Sequence, residues 1–208
     1  VIPEFDVGCY IDYSPDTLRE TTAEDVASYP GPGWNRDYRP LYDVTWDEVE
    51  GALDIERKAL DRASRAYDAA GFEATLAAVV EEAYENEDDG FFCYIGGMDL
   101  GVAALVMAIV AAGGTTYNAC RGRAPGSLHL QQHPYVGVVL DRDRAALTSR
   151  FVLEAGCCLY SGEEGYLAIG APSVEHCHRL ARTMIENRHL FDRLPAPTWR
   201  DGLEDLVD

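Results

Sequence analysis

Residues 99–123, DLGVAALVMAIVAAGGTTYNACRGR, decide the fold. From Asp99 to Ala112 the chain is apolar almost throughout. The run falls short of the roughly 18 residues a membrane span needs, so it reads as a buried helix. Two glycines end it. The next segment, GTTYNACRG (114–122), mixes β-branched and aromatic residues and reads as a strand. That strand runs directly into Cys120, Arg121, Gly122 and Arg123.

The same rhythm continues downstream. A polar loop through Gln131 and Gln132 leads to YVGVVLD (135–141), a strong strand pattern. Asp143 stands where a cap belongs for the helix RAALTSRFVLEAG, which Gly156 ends. CCLYSGEEGYLAIGAP (157–172) reads as a hairpin turning at Gly162 to Gly165. Ser173 is placed to cap a last helix reaching about Phe191. Upstream, FFCYIGG (91–97) reads as a short strand. The order from residue 91 is β-α-β-β-α-β-β-α. The expected fold is therefore α/β, layered as α+β, a mixed β-sheet with helices on one face.

Residues 1–44 are rich in turn formers. Ser14 before Pro15 is placed to cap a helix reaching about Ala27. Tyr29-Pro30-Gly31-Pro32-Gly33 breaks it, and the aromatics Trp34, Tyr38 and Tyr42 follow. Thr45 and Glu48 then form a capping box. Behind them the less polar positions 46, 49, 53, 60, 63, 67 and 70 make one amphipathic face, interrupted by Glu56 and stopping at Gly71. A second helix spans about Glu73 to Tyr84, giving a helical hairpin. The acids Glu81, Glu82, Glu85, Glu87, Asp88 and Asp89 close it as a solvated linker. The expected division is an acidic helical extension, 1–90, and a mixed α/β domain, 91–208.

Charge supports that division. The 208 residues carry a net charge of −19, and residues 1–90 hold 23 acids against 7 bases. A field of that sign repels phosphate backbones, so nucleic acid is not expected on residues 1–90, and a basic protein partner is favoured. No basic segment precedes an apolar core at the N-terminus, so a cytoplasmic protein without membrane association is expected. The six cysteines are scattered and read as free thiols.

Several residues have the chemistry of a site. Cys120 lies between a strand and a loop beside Arg121 and Arg123, and neighbouring guanidinium groups favour thiolate. Backbone N–H groups around Gly122, with both arginines, suit a small anionic ligand such as a carboxylate or phosphate. His129 and His133 have i,i+4 spacing near the same turn. The group Glu175-His176-Cys177-His178 adds further ligand types, but neither segment has the paired spacing of a zinc site, so no metal is expected. Cys157 and Cys158, adjacent at a strand start, read as packing residues. The glycines of GGMDLG (96–101) lack a nucleotide-binding pattern.

The run GGMDLGVAALVMAIVAAGGTTYNACRGR, followed by HPYVGVVLDRDRAALTSRFVLEAGCCLYSG and GYLAIGAP, resembles the wybutosine-synthesis methyltransferase family over residues 95–172. In that family an aspartate opens a helix, and about twenty residues later a Thr/Ser-rich strand ends in Cys-Ser-Gly-Arg. The resemblance implies an α/β domain with a pocket for S-adenosylmethionine and a modified guanosine of tRNA. By position it carries over Asp99, Thr116, Asn118, Cys120, Gly122 and Arg123. Asn118 stands where a serine is usual, and Arg121 replaces the small residue between cysteine and glycine, a bulky cation that either fills the pocket or re-aims it toward an anionic ligand.

Two functions follow from these readings. The first is a regulatory or partner-binding protein of immunity, antitoxin or accessory-subunit type, with a small anion pocket at Cys120–Arg123. The second, implied by the resemblance, is an S-adenosylmethionine-dependent methyltransferase acting on a nucleoside, tRNA or small molecule. Asp99 and Cys120 are its catalytic candidates. Thr116, Asn118, Cys120, Arg121, Gly122, Arg123, His129 and His133 are the ligand-binding candidates.

Overall fold

A computed structural model describes residues 1–28, 41–122, 131–162 and 165–207. The Pro-Gly block, Trp34 and Tyr38, together with Arg123, His129 and the tip of the 162–165 turn, lie outside them.

The N-terminal part begins with a two-residue strand, β1 (Ile11–Asp12). Ser14 does not start a helix to Ala27. It accepts from Asp16 N and caps only one 3-10 turn, Pro15–Thr17. The helix that follows, α1 (Ala23–Ala27), has its own capping box from Thr22 and Asp25. The box at Thr45 and Glu48 starts α2 (Trp46–Ala63) as expected. That helix stops before residue 71, however. Asp68 accepts from Gly71 N at 2.8 Å and opens α3 (Ala69–Glu85), so Gly71 lies in a first turn instead of ending a helix.

FFCYIGG is not a strand. Asp88 accepts from Phe91 N, and residues from Asp89 form the short helix α4 (Asp89–Tyr94). An apolar run this short has no decisive period, and the preceding cap settles its conformation. The buried helix is α5 (Ala103–Ala111), with every residue from Ala103 to Val110 fully buried.

The strands β2 (Thr115–Cys120) and β3 (Tyr135–Val139) pair antiparallel. Helix α6 (Arg142–Ala155) follows, and its cap is Asp141 rather than Asp143. Gly156 ends it in the left-handed conformation, as expected. The hairpin forms from β4 (Cys158–Ser161) and β5 (Leu167–Gly170). Ser173 precedes α7 (Val174–Glu186), and Asn187 separates that helix from α8 (Arg188–Phe191). A second 3-10 turn, Thr198–Arg200, and α9 (Glu204–Val207) complete the described chain.

The five strands make one mixed sheet in the order β1-β4-β5-β3-β2, in which β1 runs parallel to β4 and the other pairs are antiparallel. Alternation along the strands divides its faces. Val136, Val138, Leu167 and Ile169 join the helices in the main core. Tyr135, Gly137 and Gly170 lie on the other side, where the Tyr117 ring covers Gly137 closely. Residues of α2 and α3, including Leu53, Leu60, Phe72 and Leu76, belong to that same main core. No described helix is long and apolar enough to cross a membrane.

Candidate functional site

The turn before α5 and the turn after β2 meet, although they lie about twenty residues apart in sequence. Arg121 N donates to Asp99 Oδ2 at 3.1 Å. Gly101 permits the first turn: its φ is +102°, and a Cβ there would lie 2.7 Å from Val174 Cβ. Gly122 permits the second, with φ +93° and a would-be Cβ 2.7 Å from the His133 carbonyl carbon. Both glycines are required by close approach as well as by backbone conformation.

Arg121 is the hub of this region. Its Nε donates to Glu73 Oε2 at 3.0 Å, and a second nitrogen reaches the same oxygen at 2.9 Å. Asp99 Oδ1 lies 3.7 Å from its remaining terminal nitrogen. The side chains of Arg121, Glu73 and Asp99 are 12%, 9% and 15% exposed. The guanidinium is thus matched by two carboxylates of its own chain, which occupy the role foreseen for an external anion. The space among Pro3, Phe5, Phe72, Glu73, Arg121 and Val174 has no room for a water molecule.

The other candidates divide between the two sides of the sheet. Thr116 pairs in register with Val138, on the helix side, and is fully buried. Asn118 and Cys120 pair with Gly137 and Tyr135, on the opposite side. A bulge at Tyr117 separates the two sets. The Asn118 Oδ1 is buried with no hydrogen-bond partner among the described residues. Burial pushes the Cys120 thiol up, and the Asp99 carboxylate adds to the shift, outweighing the opposing Arg121. A thiolate is therefore disfavoured, contrary to the expectation from the arginines. His133 stays beside this turn, its Nδ1 3.0 Å from the Pro134 carbonyl oxygen.

Sequence reasoning missed Glu73 and Glu56 as members of this neighbourhood. Glu56 interrupts the apolar face of α2 because it serves that face. Its side chain is completely buried, and its Oε1 accepts from Gly101 N at 2.7 Å and Ala103 N at 2.8 Å. No side chain of its own caps α5, so a carboxylate from α2 does. His178 Nδ1 approaches Glu56 Oε2 at 3.8 Å, beyond hydrogen-bond range. The signal for Glu73 was its spacing from Leu76, which places both on the buried side of α3.

In the EHCH segment, His176 shares a hydrogen bond with Ser173 Oγ at 2.8 Å. Among the described residues no cluster of three histidine, cysteine or acidic side chains has metal-binding geometry. All six cysteines are free: Cys9 and Cys93 are exposed and the other four buried. No family model, curated protein or solved structure matches the chain.

Proposed function

We propose that this is a partner-binding or regulatory protein, of immunity, antitoxin or accessory-subunit type, that docks a basic protein surface. The observation that carries the reading is the end of α3. Glu81 and Glu85 in its last turns, with Glu87 and Asp89 just beyond, are exposed and make no ion pair among the described residues. Acids at a helix C-terminus oppose the helix dipole, so their position is unfavourable for the stability of α3. Beside them Tyr84 is 59% exposed and packs edge-on against Phe92 at 4.8 Å. An aromatic anchor inside a rim of one charge suits a docking surface.

The test is affinity capture at low and high salt with the native chain and with Glu81→Lys/Tyr84→Ala/Glu85→Lys. The expected result is one basic protein held by the native chain at low salt and lost with the variant. Equal recovery by the variant, or no specific partner at low salt, overturns the reading.

A second reading, S-adenosylmethionine-dependent methyl transfer, is favoured by the meeting of Asp99 with the Cys120–Gly122 turn. Against it stands the filling of that region by Arg121 and Glu73. Calorimetry with S-adenosylmethionine decides it. Saturable heat and a raised melting temperature support the reading, and neither effect at millimolar ligand removes it.

A further inference from the structure

At the β1 edge of the sheet the register brings two cysteines from opposite ends of the chain together. Ile11 pairs with Leu159 and Asp12 with Tyr160, in parallel. Leu159 N donates to the Tyr10 carbonyl at 3.0 Å, so the pairing reaches one residue before β1. Two residues back from Ile11 and Leu159 along both chains, the same register sets Cys9 opposite Cys157. Neighbouring strands lie about 4.8 Å apart, within the Cα separation of about 4.4–6.8 Å that a disulfide spans.

Alternation puts both thiols on the same face. Ile11, Leu159 and Cys157 all belong to the helix side, in or against the main core. Tyr10 and Tyr160 lie on the other face with their rings 6.3 Å apart, and Cys158, paired with Gly170, shares that face. A second contact places Cys9 independently. Its Sγ donates to the Leu153 carbonyl at 3.6 Å, and the same carbonyl accepts from Gly156 N at 3.1 Å, in the turn that delivers Cys157 to the sheet. Burial pushes the Cys157 thiol up to about 12, and the Cys158 and Cys9 thiols add to the shift, so Cys9 is within electrostatic reach. Cys9 is exposed and Cys157 buried, so an oxidant from solution meets Cys9 first.

We infer that Cys9 and Cys157 are a modification site, a reversible disulfide pair that locks the segment before β1 onto the edge of the sheet when the chain meets a small-molecule disulfide such as oxidised glutathione. The Cys9 thiolate attacks one sulfur of the oxidant, breaks its S–S bond and releases one thiol, leaving a mixed disulfide on Cys9. The Cys157 thiolate then attacks the Cys9 sulfur and releases the second thiol. Two protein thiols are oxidised, one external disulfide is reduced, and the two protons leave on the released thiols. Ring closure needs the Cys157 thiolate, so the second step is the slow one and quickens as pH rises. The latch joins a two-residue edge strand to the start of β4. The inference does not depend on partner docking at α3, which lies on different residues.

Incubation of the folded native chain with oxidised glutathione at mildly alkaline pH, followed by peptide mass spectrometry without reduction, tests it. The expected product is a Cys9–Cys157 linked peptide. In Cys157→Ala the reaction should stop with glutathione on Cys9, and in Cys9→Ser no disulfide to Cys157 should form. Cys9→Ser alters an exposed position, so that arm stands even if Cys157→Ala folds poorly, and thermal melts establish the fold of both. Oxidation of the native chain in urea should instead scatter the linkages among the six thiols, since the register is gone. Glutathione left on Cys9 of the folded native chain without closure overturns the inference. So does linkage of Cys9 to Cys158, to Cys93 or to a second chain in place of Cys157, or the same distribution of linkages in the folded chain and in urea.

Discussion

Glu56 Oε1 accepts a hydrogen bond from the backbone N–H of Gly101 at 2.7 Å, so a carboxylate in the middle of one helix holds the start of another. The same oxygen accepts from Ala103 N at 2.8 Å. Replacing Glu56 with alanine leaves both donors buried and unpaired and opens a cavity in α2. A loss of about 3 kcal/mol or more is expected. Glu56→Gln keeps an acceptor oxygen and should lose clearly less. Urea unfolding of both variants checks the order, and equal losses would show that burial rather than capping matters at this position.

Arg121 stands in the same relation to Glu73 and Asp99. Arg121→Met removes a cation that serves two largely buried carboxylates. Breaking such a buried arrangement costs about 3–5 kcal/mol. The triple variant Glu73→Leu/Asp99→Asn/Arg121→Met removes the charges together and should recover part of that loss. Denaturant midpoints for the two variants measure the difference.

The thiols separate into two classes. Cys9 and Cys93 are exposed, whereas Cys120, Cys157, Cys158 and Cys177 are buried. Burial pushes the Cys157 thiol up to about 12 and raises that of Cys177 well above its usual value. Reaction with iodoacetamide at neutral pH should modify only Cys9 and Cys93 in the folded chain, and all six after denaturation. Mass spectrometry of peptides reads the outcome. Prompt modification of Cys120 in the folded chain would restore it as a catalytic candidate.

His176 makes stability depend on pH. Burial, aided by the Arg179 charge, lowers its pKa from the ordinary imidazole value of 6.5. The unfolded chain therefore takes up a proton at higher pH than the folded one does. The stability contributed by neutral His176 is present above the unfolded value and is lost as pH falls through the folded one. Thermal melts across this window should show a falling melting temperature toward acid, with a shallower fall in His176→Gln.

Much of the architecture was legible because local rules and tertiary packing agree. The apolar run of α5, the β-branched strand after it, the 157–172 hairpin and the capping box at Thr45 all appear where their patterns place them. Two of the failures share one cause. At FFCYIGG and at Gly71, an aspartate a few residues earlier captures backbone N–H groups and sets a helix start. That cap outweighs a short apolar pattern or a helix-ending glycine. Asp141 displaced Asp143 in the same way, because both are suited to the role and only the path of the chain out of β3 selects one.

The candidate site was less legible. Sequence placed Asp99, Cys120 and Arg121 in one neighbourhood, and the first and last do touch. It could not show that Glu73 would arrive from α3 to take the charge of Arg121, or that Cys120 would be buried. Sequence by itself determined most of the element types from α5 onward, the acidity of residues 1–90 and the glycines that let two turns approach. Only tertiary structure decided which charges pair and which remain free, because distance and burial are set by elements remote in the chain. That is why Glu56, a break in a pattern when read along the sequence, is a cap when seen in space.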